Sequence, residues 1–161
     1  MELTKEELEE RVSILRRFRS LLEQQRDKFR EYLTVLEKQQ DSIRAENPES
    51  LLAHTELEQQ VVKNLSSLHK VIVPMSKMYK NLNISQGNSE NEDSQSIIAI
   101  QNELLSLQNK VLEQNKINRD LLRDHIENIK IQIQNFKNPY KNLRTVYKQP
   151  QRVATMIEVQ A

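Results

Sequence analysis

The chain has 161 residues, with 24 Lys plus Arg against 23 Asp plus Glu, one Gly, four Pro, no Cys and no Trp. A net charge of +1 gives no general pull toward nucleic acid or acidic membranes. The single glycine leaves almost no place for phosphate loops, nucleophile elbows or tight hairpins, and the absent cysteine excludes disulfides and thiolate metal sites and fits a reducing cytoplasm. The acidic, amphipathic start MELTKEELEE is unlike a signal peptide, and no apolar run approaches the roughly 20 residues that span a bilayer. At 37% apolar and 29% charged, the composition suits long helices that each bury one stripe.

The first predicted helix runs over 4–45. Thr4 and Glu7 have the spacing of a capping box. Every seventh residue from Leu8 is apolar: Leu8, Leu15, Leu22, Phe29, Leu36 and Ile43. That is one stripe on the near-3.5 repeat of packed helices. Beside it run Val12, Phe18, Gln25, Tyr32 and Leu33. Gln25 is either a polar break that sets register or a residue at the stripe's edge. Arg11, Arg16, Arg17, Arg19 and Arg26 are interleaved with Glu, the pattern of an ion-paired solvent face.

Asn47 and Pro48 have the chemistry of a helix cap and first turn, so a short connection leads into an antiparallel hairpin partner. Its a/d positions are Leu57, Val61, Leu65, Leu68, Ile72, Met75 and Tyr79. Pro74 predicts a kink or an end near Ile72 or Val73, so this helix covers 48–73 or extends to 82. Residues 83–95, polar and holding Gly87, read as a linker.

Ser94 or Ser96 then caps a third helix over 95–137. Its stripe is Ile100, Leu104, Leu107, Val111, Leu121 or Leu122, Ile126, Ile129, Ile133 and Phe136, with a polar shift at 114–119. Asn138-Pro139 is the expected stop. The predicted fold class is all-α: a long antiparallel hairpin plus a third long helix, a three-helix bundle or coiled coil over 1–138, with a flexible basic tail over 139–161. The tail keeps apolar residues and two tyrosines that it has little means to bury.

No catalytic or metal constellation emerges. His54, His69 and His125 lie apart, none with a second ligand one turn away on a shared face. The expectation is a non-enzyme without cofactor or metal.

Three stretches resemble the FlgN family of flagellar type III export chaperones. They are the heptad helix over 15–43, the hairpin partner from Asn47 to Leu68, and Asn115-Lys116-Ile117-Asn118-Arg119-Asp120-Leu121-Leu122. The last looks like the family's Asn-x-x-Asn-x-x-Leu-Leu signature. The family often shows Tyr-Gly near the tail, whereas Tyr147 here is followed by Lys148. The resemblance implies a cytoplasmic chaperone that binds helical ends of hook–filament junction proteins, prevents early assembly, and hands them to the membrane export gate. It also implies a docking tyrosine in the tail, Tyr147 by position or else Tyr140.

The candidate partner-binding residues are Leu122, Ile126, Ile129 and Ile133, then Tyr140, Tyr147, Val153, Met156 and Ile157. The polar breaks at Gln25, Asn115 and Asn118 fit either an imperfect bundle that offers a groove or register-setting within a self-sufficient one. The competing function is a self-associating coiled-coil scaffold without secreted cargo; a homodimer is compatible with either reading.

Overall fold

The computed structural model describes residues 4–86 and 92–146, with side chains over 4–82 and 92–136. It holds three helices, α1 (Lys5–Arg44), α2 (Pro48–Gln86) and α3 (Glu92–Val146), and no strand among the described residues. The chain divides into two compact units, Met1–Arg119 and Asp120–Ala161.

Local chemistry sets the ends of α1. The Thr4 hydroxyl accepts from the Glu7 amide, and the Glu7 carboxylate accepts from the Thr4 amide at 2.9 Å. Two orphan amides are thereby satisfied. At the far end Glu46 takes a left-handed φ of 52°. The Glu46 amide donates to the Ile43 carbonyl and the Asn47 amide to the Ser42 carbonyl, each at 3.1 Å. This is a Schellman closure with glutamate where glycine is usual. Asn47 then accepts from the Ser50 amide, and Pro48 opens α2.

Pairing between helices fixes the topology of the first unit. Ser42 meets Ser50, Gln39 meets Glu58, and the Phe18 ring lies 5.0 Å from that of Tyr79. Rising numbers meet falling ones, so α1 and α2 are antiparallel. Between α1 and α3 the pairs are Arg19 with Asp93, Arg30 with Glu103 and Gln40 with Gln114. Here both numbers rise, so α3 runs parallel to α1. Phe18, Leu22, Ile72, Tyr79, Ile97, Ile100 and Leu104 form a core drawn from all three helices. Removing such side chains from water is the main stabilising term.

The described helices differ from the expected boundaries in several places. Of the two extents expected for α2, it takes the longer one: it does not end at Ile72 or Val73 but continues through Pro74, past 82, to Gln86. Buried Ile72 and Tyr79 lie on either side of the proline, and their burial offsets its cost of about 3 kcal/mol. The expected 83–95 linker is narrower, because α2 enters it from one side and α3 from Glu92 on the other. Ser94 and Ser96 therefore lie inside α3 and do not cap it. Glu92 and Asp93 suit the positive end of the helix dipole, and Asp93 is also held by Arg19 at 3.4 Å.

Pro139 does not stop α3, whose backbone stays helical to Val146. Proline's fixed φ is itself helical, and the cost is limited to one hydrogen bond and crowding of the preceding turn. The expected tail thus begins no earlier than 147 in backbone terms, and residues 147–161 lie outside the described residues.

Of the seam positions expected in α1 and α2, Leu8, Val12 and Leu57 are exposed rather than packed. Leu57 is exposed because Glu58, about 100° around the helix, faces α1 instead.

Candidate functional site

α3 carries one apolar period through two environments. In the first unit, Ile97, Ile100, Leu104, Leu107 and Val111 are buried. In the second, Leu122, Ile126, Ile129 and Ile133 are 40%, 47%, 53% and 50% exposed. Their 4-3-4 spacing keeps them within about 60° of one another around the helix. A stripe of this kind normally exists to be covered. Leu121, the alternative for the stripe, is half-buried, and Leu122 is exposed. Of the other candidate residues, Tyr140 lies in the helical backbone with its side chain outside the described residues. Tyr147, Val153, Met156 and Ile157 lie outside the described residues altogether.

Within the first unit, past the buried stripe, sits a polar layer. The Asn118 amide nitrogen donates to the Leu36 carbonyl at 2.8 Å and to Gln39 Oε1 at 3.4 Å. Gln114 Nε2 donates to Asn118 Oδ1 at 3.0 Å and to Gln40 Oε1 at 2.8 Å. Asn115 Nδ2 donates to the Tyr32 hydroxyl at 3.2 Å, and that hydroxyl donates to Glu58 Oε1 at 3.2 Å. Gln39 Nε2 donates to Glu58 Oε2 at 2.5 Å. Every helix of the unit contributes.

Burial, opposed by the Asn115 hydrogen bond and reinforced by the Glu58 charge, lifts the Tyr32 hydroxyl above its ordinary titration range. The layer can only be satisfied in one alignment of the three helices, because each donor needs its own acceptor. Asn115 and Asn118 are therefore consumed within the bundle, and they set register rather than open a groove. Gln25 is likewise buried.

Ion pairs add a weaker alignment. Arg26 and Arg30 both reach Glu103, and Arg19 reaches both Glu23 and Asp93. The arginines of α1 thus pair across to α3 as well as along their own helix. Each such half-exposed pair is worth at most about 1 kcal/mol.

The described residues hold no set of three His, Cys, Asp or Glu side chains able to bind a metal. His54 Nδ1 is buried with no hydrogen-bond partner, and it belongs to no such set. Among the described residues no helix is long and apolar enough to cross a membrane.

A match to the family described as FlgN protein spans residues 5–155. The chain belongs to the FlgN family. A protein of Treponema pallidum (strain Nichols) described as uncharacterized is 33% identical over 127 residues, covering 79% of this chain and 77% of that one. No solved structure matches.

Membership makes this FlgN-family chain a flagellar export chaperone, a helical protein of flagellum assembly and type III export, and the FlgN family is a family of chaperones, not of enzymes. Within it, the Asn-x-x-Asn-x-x-Leu-Leu stretch now divides by role. Asn115 and Asn118 lock the bundle, and Leu122 opens the exposed stripe. Sequence reasoning missed Glu58 and Gln39 as partners in that lock. Nothing in their own positions marks them; only the fold brings them to Tyr32 and Asn118.

Proposed function

We propose that this FlgN-family chain is a cytoplasmic chaperone that binds the helical ends of hook–filament junction proteins, keeps them from assembling early, and delivers them to the export gate. The observation that carries the reading is the exposed stripe Leu122, Ile126, Ile129 and Ile133. Its spacing is that of a helix packing against another helix, and an amphipathic cargo helix is the natural occupant. Tyr140, Tyr147, Val153, Met156 and Ile157 are the further contacts proposed for the same partner. Tyrosine suits such a contact, since it buries a ring and keeps its hydroxyl wet.

Affinity of the purified chain for junction proteins tests this. Ile129→Asp places a charge in the centre of an exposed stripe, so the variant should melt within a few tenths of a kcal/mol of the parent, that is within about 0.5 kcal/mol. It should nonetheless lose cargo. A chain ending at Val146 should keep its fold and bind more weakly. Undiminished cargo binding by Ile129→Asp would remove the stripe from the site.

A further inference from the structure

The exposed stripe has unlike flanks. Arg123 and Lys130 lie on one side, about 60–100° from its centre, and both are exposed. His125 and Gln132 lie on the other side, where the helix sequence over 122–133 places no Asp or Glu. The acids of this segment, Asp120, Asp124 and Glu127, fall around the back of the helix. Arg123 does meet Asp120, but only at 3.9 Å and with its side chain 76% exposed, so its charge stays open to a partner.

We infer that the occupant of this stripe is an amphipathic helix whose apolar seam is edged by Glu or Asp on the side that meets Arg123 and Lys130. The inference rests on the stripe being the cargo surface proposed above, and it specifies the chemistry of what lies there. Positions flanking an apolar seam choose the partner by charge. An acidic edge gains from both cations, while a basic edge meets like charge. The long stems of Arg123 and Lys130 can also lie along the partner's apolar surface while their heads reach a carboxylate.

A second copy of this helix is a poor fit for the same reason. Antiparallel self-pairing would set Arg123 and Lys130 against the same residues of the other copy. Parallel self-pairing would set them against His125 and Gln132, with no carboxylate to gain.

The test uses the full chain and two synthetic helical peptides with the same leucine seam. One carries Glu at the flanking positions and the other Lys. Binding is read by fluorescence anisotropy at low and high salt. The Glu-edged peptide should bind about tenfold tighter at low salt, with the difference shrinking as salt rises. The double variant Arg123→Glu with Lys130→Glu should reverse the preference, and Ile129→Asp should weaken both peptides.

Equal binding of the two peptides, or preference for the Lys-edged one, overturns the charge assignment; so does failure of both to bind. If the peptides bind equally and Ile129→Asp abolishes both, the stripe stands as a docking surface and only its charge preference falls. Capture of junction proteins by the Ile129→Asp chain separates the cases: if that is unchanged, it is the cargo reading that has failed.

Discussion

The Asn118 side chain reaches from α3 to the Leu36 main-chain carbonyl of α1, 2.8 Å away, and Leu36 itself is fully buried. A backbone carbonyl inside a helix already accepts from its own helix, so Asn118 uses that oxygen's second lone pair. The contact joins two helices without breaking either.

Replacing Asn118 should therefore act on stability and not on cargo. Asn118→Ala removes one hydrogen bond from each of Gln114, Gln39 and the Leu36 carbonyl inside the bundle and should cost about 1–3 kcal/mol. Asn118→Asp should cost at least as much, since it offers an acceptor where Leu36 and Gln39 present oxygens. Denaturant melts measure both. Cargo affinity, read below the melting range, should stay within about twofold. A large loss of cargo in a chain that stays folded would make Asn118 a contact residue.

Tyr32 gives the bundle a basic limit. Its folded hydroxyl titrates above the ordinary tyrosine range because burial disfavours the charged form. The folded state thus holds a proton that the unfolded chain releases. The stabilisation is fully present below about pH 10 and declines as pH rises through the folded value. Tyr32→Phe should flatten that part of the decline. It should also cost about 1 kcal/mol at neutral pH from the lost hydrogen bonds to Asn115 and Glu58. Melting temperature against pH for both chains decides the matter.

Glu46 sits at a left-handed position that glycine occupies without a Cβ penalty. Glu46→Gly should stabilise the chain by about 0.5–1 kcal/mol, once the extra freedom of unfolded glycine is set against the relieved strain. Urea melts should show a higher midpoint with an unchanged slope.

Pro74 is exposed within α2 and contributes nothing to the buried seam. Pro74→Ala restores a backbone donor and removes the ring's clash, and should stabilise by about 1–3 kcal/mol. A fall in stability would mean that α2 depends on the proline's local geometry.

Much of the architecture was legible in residue spacing. The capping box at Thr4 and Glu7, the Asn47-Pro48 turn and the stripes through Leu22, Leu36, Val61, Leu65, Leu104 and Val111 follow from local rules of helix periodicity and capping. Local rules misled at Pro139, where the helix continues, and at Pro74 they left open whether α2 ends or goes on. At Pro74 burial of residues far apart in sequence outweighs a local cost, and no local rule contains that term.

The sequence by itself determined that this protein is three long helices with an apolar stripe along each, because helix-forming residues at a fixed period leave the backbone no other economical arrangement. Only the tertiary structure decided which part of each stripe is used up. Ile97 and Ile133 are the same residue type on one helix, yet one is fully buried and the other half exposed. Likewise nothing local distinguishes Asn118, locked between Leu36 and Gln114, from a solvent-facing asparagine. Burial and hydrogen-bond pairing are properties of what lies opposite, and that is set only when the three helices meet.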